Sequence, residues 1–405
     1  MNQHVLDAFD SPLRVDPAAL MDDPHAAFAA LRPEHPVIRL GEKLYLALRA
    51  QEVLSLLTDP RTVQVEGPDY VALKQIPDGA AARFLTDLFL FSNDEAHRAK
   101  RGLFARAFAH GAMRAARVQV RGVAETIVAD LPRGESFDFV ERMAARVPAE
   151  MIAAILGLPR SDARHFAPRV YDLARALTPV YPLPHHAAIE AAAGDLFAYV
   201  EDHLRLRLEE PGDDLLSRLA ADWRANQAIS FDSLVHQILG ILVGGSDTTR
   251  AAFAMLVALL LERPRDWAAV RADPGLVPGA VAEAMRYEPS VGTIARFTTA
   301  PLEVGGLLVP AGVMLSVSTL SAMRDPALYA DPGRFDIRRA DHPRLHPVFG
   351  LGPHRCIGEM LARIEMEEGL AALASDAPDI RMEERPRMLG FGGIRQITPM
   401  RVRIR

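Results

Sequence analysis

The chain has a single cysteine among its 405 residues, Cys356. No disulfide can form within it, and a zinc site built from several thiolates is excluded. It has no excess of positive charge. Forty-six Lys and Arg stand against 52 Asp and Glu, a net charge of −6, which argues against nucleic acid as a general partner. No apolar run reaches the ~18–20 residues of a membrane span; the best one, from Leu234 to Leu261, is interrupted by Asp247 and Arg250. There is no internal repeat and no long linker. Residues 1–13 carry Asp7 and Asp10 and lack the basic start and apolar core of a secretory signal. These absences imply a cytoplasmic chain, read as a monomer, with no membrane and no nucleic acid among its partners. Apolar residues make up 49% of it, enough for a large buried core.

The lone cysteine has an unusual setting, Phe349-Gly350-Leu351-Gly352-Pro353-His354-Arg355-Cys356-Ile357-Gly358. A free cysteine is usually a small buried hydrophobe. Here Gly350, Gly352 and Gly358 permit backbone angles and close approaches that a Cβ forbids, and Pro353 stiffens the loop. A helical pattern begins near Gly358 and continues through Met360, Leu361, Ile364 and Leu370. A thiol just before a helix N-terminus is favoured as thiolate. It reads as a nucleophile or a ligand. A nucleophile needs a base, and His354, two residues away in a tight loop, is better placed to pack against a flat cofactor. A structural zinc wants four ligands, whereas haem iron takes one axial protein ligand, and a Cys thiolate serves.

At Phe349, Gly352, His354, Cys356 and Gly358 the segment resembles the haem-binding loop of the cytochrome P450 family, F-x-x-G-x-[HR]-x-C-x-G. The resemblance implies that Cys356 is the iron ligand of haem b, with Phe349, Gly350 and Gly358 shaping its seat.

Three further segments agree. Gly244-Gly245-Ser246-Asp247-Thr248-Thr249 lies inside a helical apolar run, where each glycine costs about 1 kcal/mol relative to Ala and a buried acid costs more. Thr248 is placed to bond back to the Gly244 carbonyl and distort the helix, which reads as a helix opened to admit a ligand. The segment resembles the family's [AG]-G-x-[DE]-T-[ST]. That implies that Gly244 borders the haem and that Asp247 and Thr248 relay protons to dioxygen. Glu283 and Arg286, at i and i+3, share a helix face. They resemble the family's E-x-x-R lock, which an arginine upstream of the cysteine completes; Arg338 is assigned to it, with Arg339 the close rival. His97 and Arg101 share another helix face. With Arg296 and His354 they match the family's partners for the haem propionates, which call for cations.

The matches run from His97 to Cys356 in the family's order. The resemblance implies a mainly α cytochrome P450 fold over residues 1–405 as a single haem domain, with a smaller β-rich lobe from about 30–60 and 297–320. Strands are read at Val37–Leu40 and Leu44–Ala47, as a hairpin, and at Leu302–Val304, Leu307–Val309 and Val313–Val317. Pro179, Pro182 and Pro184 break the helical pattern where the family caps its substrate entrance.

By family position the substrate pocket includes parts of 64–92 and 170–185 with Val243, Gly244, Val291, Thr293, Ile294 and Phe391. The lining is mostly apolar, with Lys74 a lone candidate to anchor a carboxylate. From Ala96 to Ala124 there is no acidic residue, while Arg98, Lys100, Arg101, Arg106, Arg114, Arg117 and Arg121 fall there. This is either a solvated basic face or a docking surface for an acidic electron carrier. About fifty residues follow Cys356, too few for a fused reductase. The function implied is insertion of one oxygen atom from O2 into a small hydrophobic substrate, with electrons from a ferredoxin and its reductase. The rival readings are a peroxide-driven peroxygenase, an NADH-dependent nitric oxide reductase and a non-catalytic haem-thiolate sensor.

Overall fold

Seven helices matter below. They are α1 Asp94–Gly102, α2 His110–Ala129, α3 Arg146–Leu156, α4 Ala163–Ala174, α5 Phe231–Leu261, α6 Val277–Tyr287 and α7 Glu359–Asp376. The structure is a computed structural model that describes residues 12–178, 180–343 and 346–405. Most of the N-terminal segment read above, residues 1–11, and Pro179 lie outside the described residues. The chain divides into two compact units. One comprises the residues up to Val65 with Ala282–Cys356 and Met388–Gln396; the other comprises Glu66–Val281, Ile357–Arg387 and Ile397–Arg405.

The first unit is built on a seven-stranded sheet. The expected hairpin is present as Val37–Arg39 and Leu44–Ala47, antiparallel with Ile38 opposite Leu46. Met314–Ser318 runs parallel to Leu44–Ala47 and antiparallel to Thr293–Ile294. Leu302–Val304 and Leu307–Val309 form their own hairpin, with Val304 opposite Leu307. Two apolar clusters hold the unit, one around Val37, Val53, Leu315 and Val317, the other around Leu20, Phe28, Ile38, Leu46 and Phe391.

The second unit is mainly helical. Ser230 caps α5, its hydroxyl accepting from the Ser233 N–H at 3.0 Å. This helix is buried on nearly every face, as expected of a core helix apolar all round. α2 buries Met113, Val120, Val123, Ala124 and Ile127 along one stripe and pairs Arg117 with Glu367 and Glu368 of α7, each at 2.5 Å. α7 approaches α5 closely at Gly369, where a Cβ would lie 2.8 Å from the Phe253 ring.

Candidate functional site

The cysteine loop is held by its own backbone. The Cys356 N–H donates to the Phe349 carbonyl at 2.8 Å, the Arg355 N–H to Gly352 at 3.1 Å and the Gly350 N–H to Pro347 at 3.0 Å. Gly350 and Gly352 sit at φ of 69° and 70°, left-handed values that disfavour any side chain. Arg355 adds a bond from Nη1 to the Gly350 carbonyl at 3.2 Å. With these groups satisfied internally, the Cys356 thiol is left exposed. His354 ends the short Gly352–His354 turn and is half-buried; Phe349 likewise ends the Pro347–Phe349 turn.

In the same unit Glu283 and Arg286 are fully buried. The carboxylate takes Arg286 Nε at 2.7 Å and Nη2 at 2.8 Å. The third member of the lock is Arg339, not Arg338. Arg339 Nε reaches Glu283 at 3.1 Å, while Arg338 is exposed, its backbone N–H donating to Asp336 at 2.9 Å. The turn around Asp336, whose own N–H donates to Glu283 at 2.8 Å, aims Arg339 inward.

Arg296 is 3% exposed. It donates to Gln64 Oε1 at 3.0 Å and to the Ala295 carbonyl at 2.9 Å. No ion pair to a carboxylate is formed by Arg296 among the described residues, and burial pulls its pKa down to about 10. A buried guanidinium without an anion is costly. A cofactor bearing carboxylates, and wanting one exposed thiolate, fits this set of groups. In the other unit His97 is buried on α1, one turn from the half-buried Arg101. Burial lowers the His97 pKa, and the Arg101 and Arg98 charges add to that shift.

α5 runs as one helix through Gly244 and Gly245, so the expected opening of the helix is not seen. The bond from Thr248 Oγ1 to the Gly244 carbonyl, at 3.1 Å, is present and is added without breaking the ladder. The two glycines differ. A Cβ on Gly244 would meet nothing within 4 Å, whereas one on Gly245 would lie 3.2 Å from Ile152 of α3. Gly244 thus faces open space and Gly245 serves packing. Asp247 is 1% exposed and is bound by Arg250, a partner one turn away that the sequence reading passed over although the spacing was visible.

Of the residues expected to line a pocket, Val243 is buried in the helical unit. Val291, which bridges to Ile394, is half-buried, as are Thr293 and Ile294 on their short strand. Phe391 packs edge-on to Phe28 at 6.4 Å in the β-unit core, a packing role the sequence did not reveal. Lys74 lies 3.4 Å from the Thr178 carbonyl and 5.6 Å from the Tyr70 ring centre; burial lowers its pKa to about 8. The Tyr70 hydroxyl donates to the Ala176 carbonyl at 3.0 Å, so these two predicted pocket segments do meet. The basic stretch is less available than its composition suggests. Lys100 pairs with Asp87, Arg117 with Glu367 and Glu368, and Arg121 with Glu125. Arg98, Arg106 and Arg114 remain exposed.

A backbone-held thiol and, in the same unit, a buried cation suited to a carboxylate-bearing cofactor are groups that a haem-thiolate protein calls for. The Cytochrome P450 family model matches residues 134–375. The chain is 36% identical over 397 residues to the plant-inducible cytochrome P450-pinF1 of Rhizobium radiobacter, covering 96% of this chain and 94% of that protein. It is 33% identical over 379 residues to nocardicin C N-oxygenase of Nocardia uniformis subsp. tsuyamanensis, covering 92% of each. The crystal structure of CalO2 superposes with a TM-score of 0.88 at 26% identity, covering 97% of this chain and 99% of that one. The chain belongs to the cytochrome P450 family and is an oxidoreductase of the monooxygenase kind, using haem and dioxygen. Among the described residues no helix is long and apolar enough to cross a membrane.

Proposed function

We propose that residues 1–405 act as one haem b domain in the cytoplasm, inserting oxygen into a small hydrophobic molecule with electrons from a ferredoxin and its reductase. The observation that carries this reading is the exposed Cys356 thiol on a loop locked by the Phe349 carbonyl and two left-handed glycines. Cys356 would ligate the iron, and Arg296, His354, His97 and Arg101 would take the propionates. When bound, thiolate-ligated haem supplies the reductive activation of dioxygen. The residues supply the rest. The Thr248 hydroxyl would hand on a proton twice, recharged each time from the Asp247 side, which with two electrons from the carrier balances one oxygen atom leaving as water and the other entering the substrate. Glu283, Arg286 and Arg339 fix the cysteine-bearing unit. The mostly apolar segments around Val243, Val291 and Ile294 favour a hydrophobic substrate, and the exposed Arg98, Arg106 and Arg114 favour an acidic carrier. The intact Asp247–Thr248 pair favours dioxygen over peroxide as oxidant, since peroxide already carries its protons.

The test is a titration of the purified ferric protein with a panel of hydrophobic compounds, followed by turnover with a ferredoxin and its reductase. A spin-state shift and an oxygenated product with one chemical class support the reading. Product formation from peroxide alone, with none from the electron-transfer chain, would replace it with the peroxygenase.

A further inference from the structure

Asp247 is 1% exposed in the middle of α5, where an ionised carboxylate needs a partner. Its Oδ1 accepts from Arg250 Nε at 3.1 Å and also from Arg250 Nη2. The arginine is itself confined. Its side chain is 12% exposed, and its guanidinium carbon stands 4.1 Å from the centre of the Tyr171 ring on α4. Tyr171 is fixed in turn by its hydroxyl, which donates to the Ala145 carbonyl at 3.3 Å. Stacked on a ring and paired with a carboxylate, this arginine keeps little of its rotamer freedom.

We propose that Arg250, seated on Tyr171, is the positioning residue that sets the orientation of the Asp247 carboxylate for proton delivery. The proposal rests on the reading of Asp247 and Thr248 as a proton relay. Successive residues on a helix point about 100° apart. Asp247 is therefore turned toward the buried side while Thr248 is half-exposed, and the carboxylate serves the hydroxyl only from a defined rotamer. The i+3 arginine defines that rotamer, and the aromatic platform defines the arginine. Lysine would keep the charge but neither the fork nor the stack.

The probe is dioxygen itself. Haem-loaded protein reduced with dithionite and freed of the excess is mixed with dioxygen and then with reduced ferredoxin, which supplies the second electron, in H2O and in D2O, and the proton-dependent decay and peroxide yield are followed. Tyr171→Leu and Arg250→Gln are expected to slow that decay roughly tenfold, the scale of a small misplacement of a reacting group. They are also expected to enlarge its solvent isotope effect. Arg250→Lys should fall between them and the parent, as should Tyr171→Phe, which keeps the ring face but loses the bond to Ala145. A second readout does not involve activity. In urea unfolding, the effects of Asp247→Asn and Arg250→Gln should be strongly non-additive. If Asp247→Asn slows the decay while Tyr171→Leu, Arg250→Lys and Arg250→Gln all decay as the parent does, the positioning role is wrong and the relay stands. If Asp247→Asn itself decays as the parent does, the relay reading falls and the inference falls with it.

Discussion

Replacing Glu283 by glutamine keeps the shape of the side chain and removes its charge. The carboxylate and Arg286 are both fully buried, joined by bonds of 2.7 and 2.8 Å, and Arg339 adds another at 3.1 Å. Arg286 also donates to the carbonyls of Met323, at 2.9 Å, and Arg334, at 3.0 Å, so it cannot withdraw when its partner goes. Glutamine would leave two guanidinium groups against an amide N–H2. Breaking a buried ion pair from one side costs about 3–5 kcal/mol, against about 5–15 kcal/mol for the total stability of a protein. Arg339→Ala should cost about 1.5–3 kcal/mol, the range for a hydrogen bond to a charged group. Arg338→Ala, at an exposed side chain, should stay within about 0.5 kcal/mol. Equilibrium urea unfolding of the haem-loaded protein measures all three. Equal costs for Arg338→Ala and Arg339→Ala would refute the assignment of Arg339, and an unchanged midpoint for Glu283→Gln would refute the lock.

Burial opposes ionisation of Glu288, but His25, Arg395 and Arg324 overcome it and hold its pKa at about 2, against an ordinary 4.5. A depressed carboxylate pKa stabilises the fold above the unfolded value, and that stability is lost as pH falls from about 4.5 through about 2. The contribution is roughly 3 kcal/mol, and Glu288→Gln should flatten the acid limb of the stability curve; an unaltered limb would contradict this. Thr248→Ala removes the bond to the Gly244 carbonyl but leaves α5 intact, so stability should change by less than about 1 kcal/mol while the peroxide formed per electron rises. An unchanged product-to-electron ratio would count against the relay. Arg98→Glu and Arg114→Glu should raise the KM for an acidic carrier, with a penalty that fades at high salt. Arg117→Glu should instead lower stability by up to about 1 kcal/mol, since that half-exposed arginine is committed to Glu367 and Glu368.

What was legible in the sequence was local. The cysteine loop and the Asp247–Thr248 segment each gather the groups expected to act within a few consecutive residues, and the strand pairs announce themselves by alternating apolar residues between glycine or proline turns. What was not legible depends on which way a turn aims a side chain, or on partners far apart in the chain. Arg338 and Arg339 are indistinguishable until the Asp336 turn is built. The contact of Arg296 with Gln64 spans 232 positions, and no local pattern foretells it. The basic stretch looked free because Glu367 and Glu368, which claim Arg117, come from a helix some 250 positions away. The clamp of Arg250 on Asp247 was readable as i, i+3, but its Tyr171 platform was not.

The role of Cys356 as the proposed iron ligand underlies every step above. The most direct measurement is the absorption spectrum of the reduced, carbon monoxide-bound protein, taken for the parent and for Cys356→Ser and Cys356→His, with haem content determined in each. The thiolate signature is expected in the parent and should be lost in both variants, together with oxygenase activity. A thiolate-type spectrum or parental turnover in either variant would contradict that role.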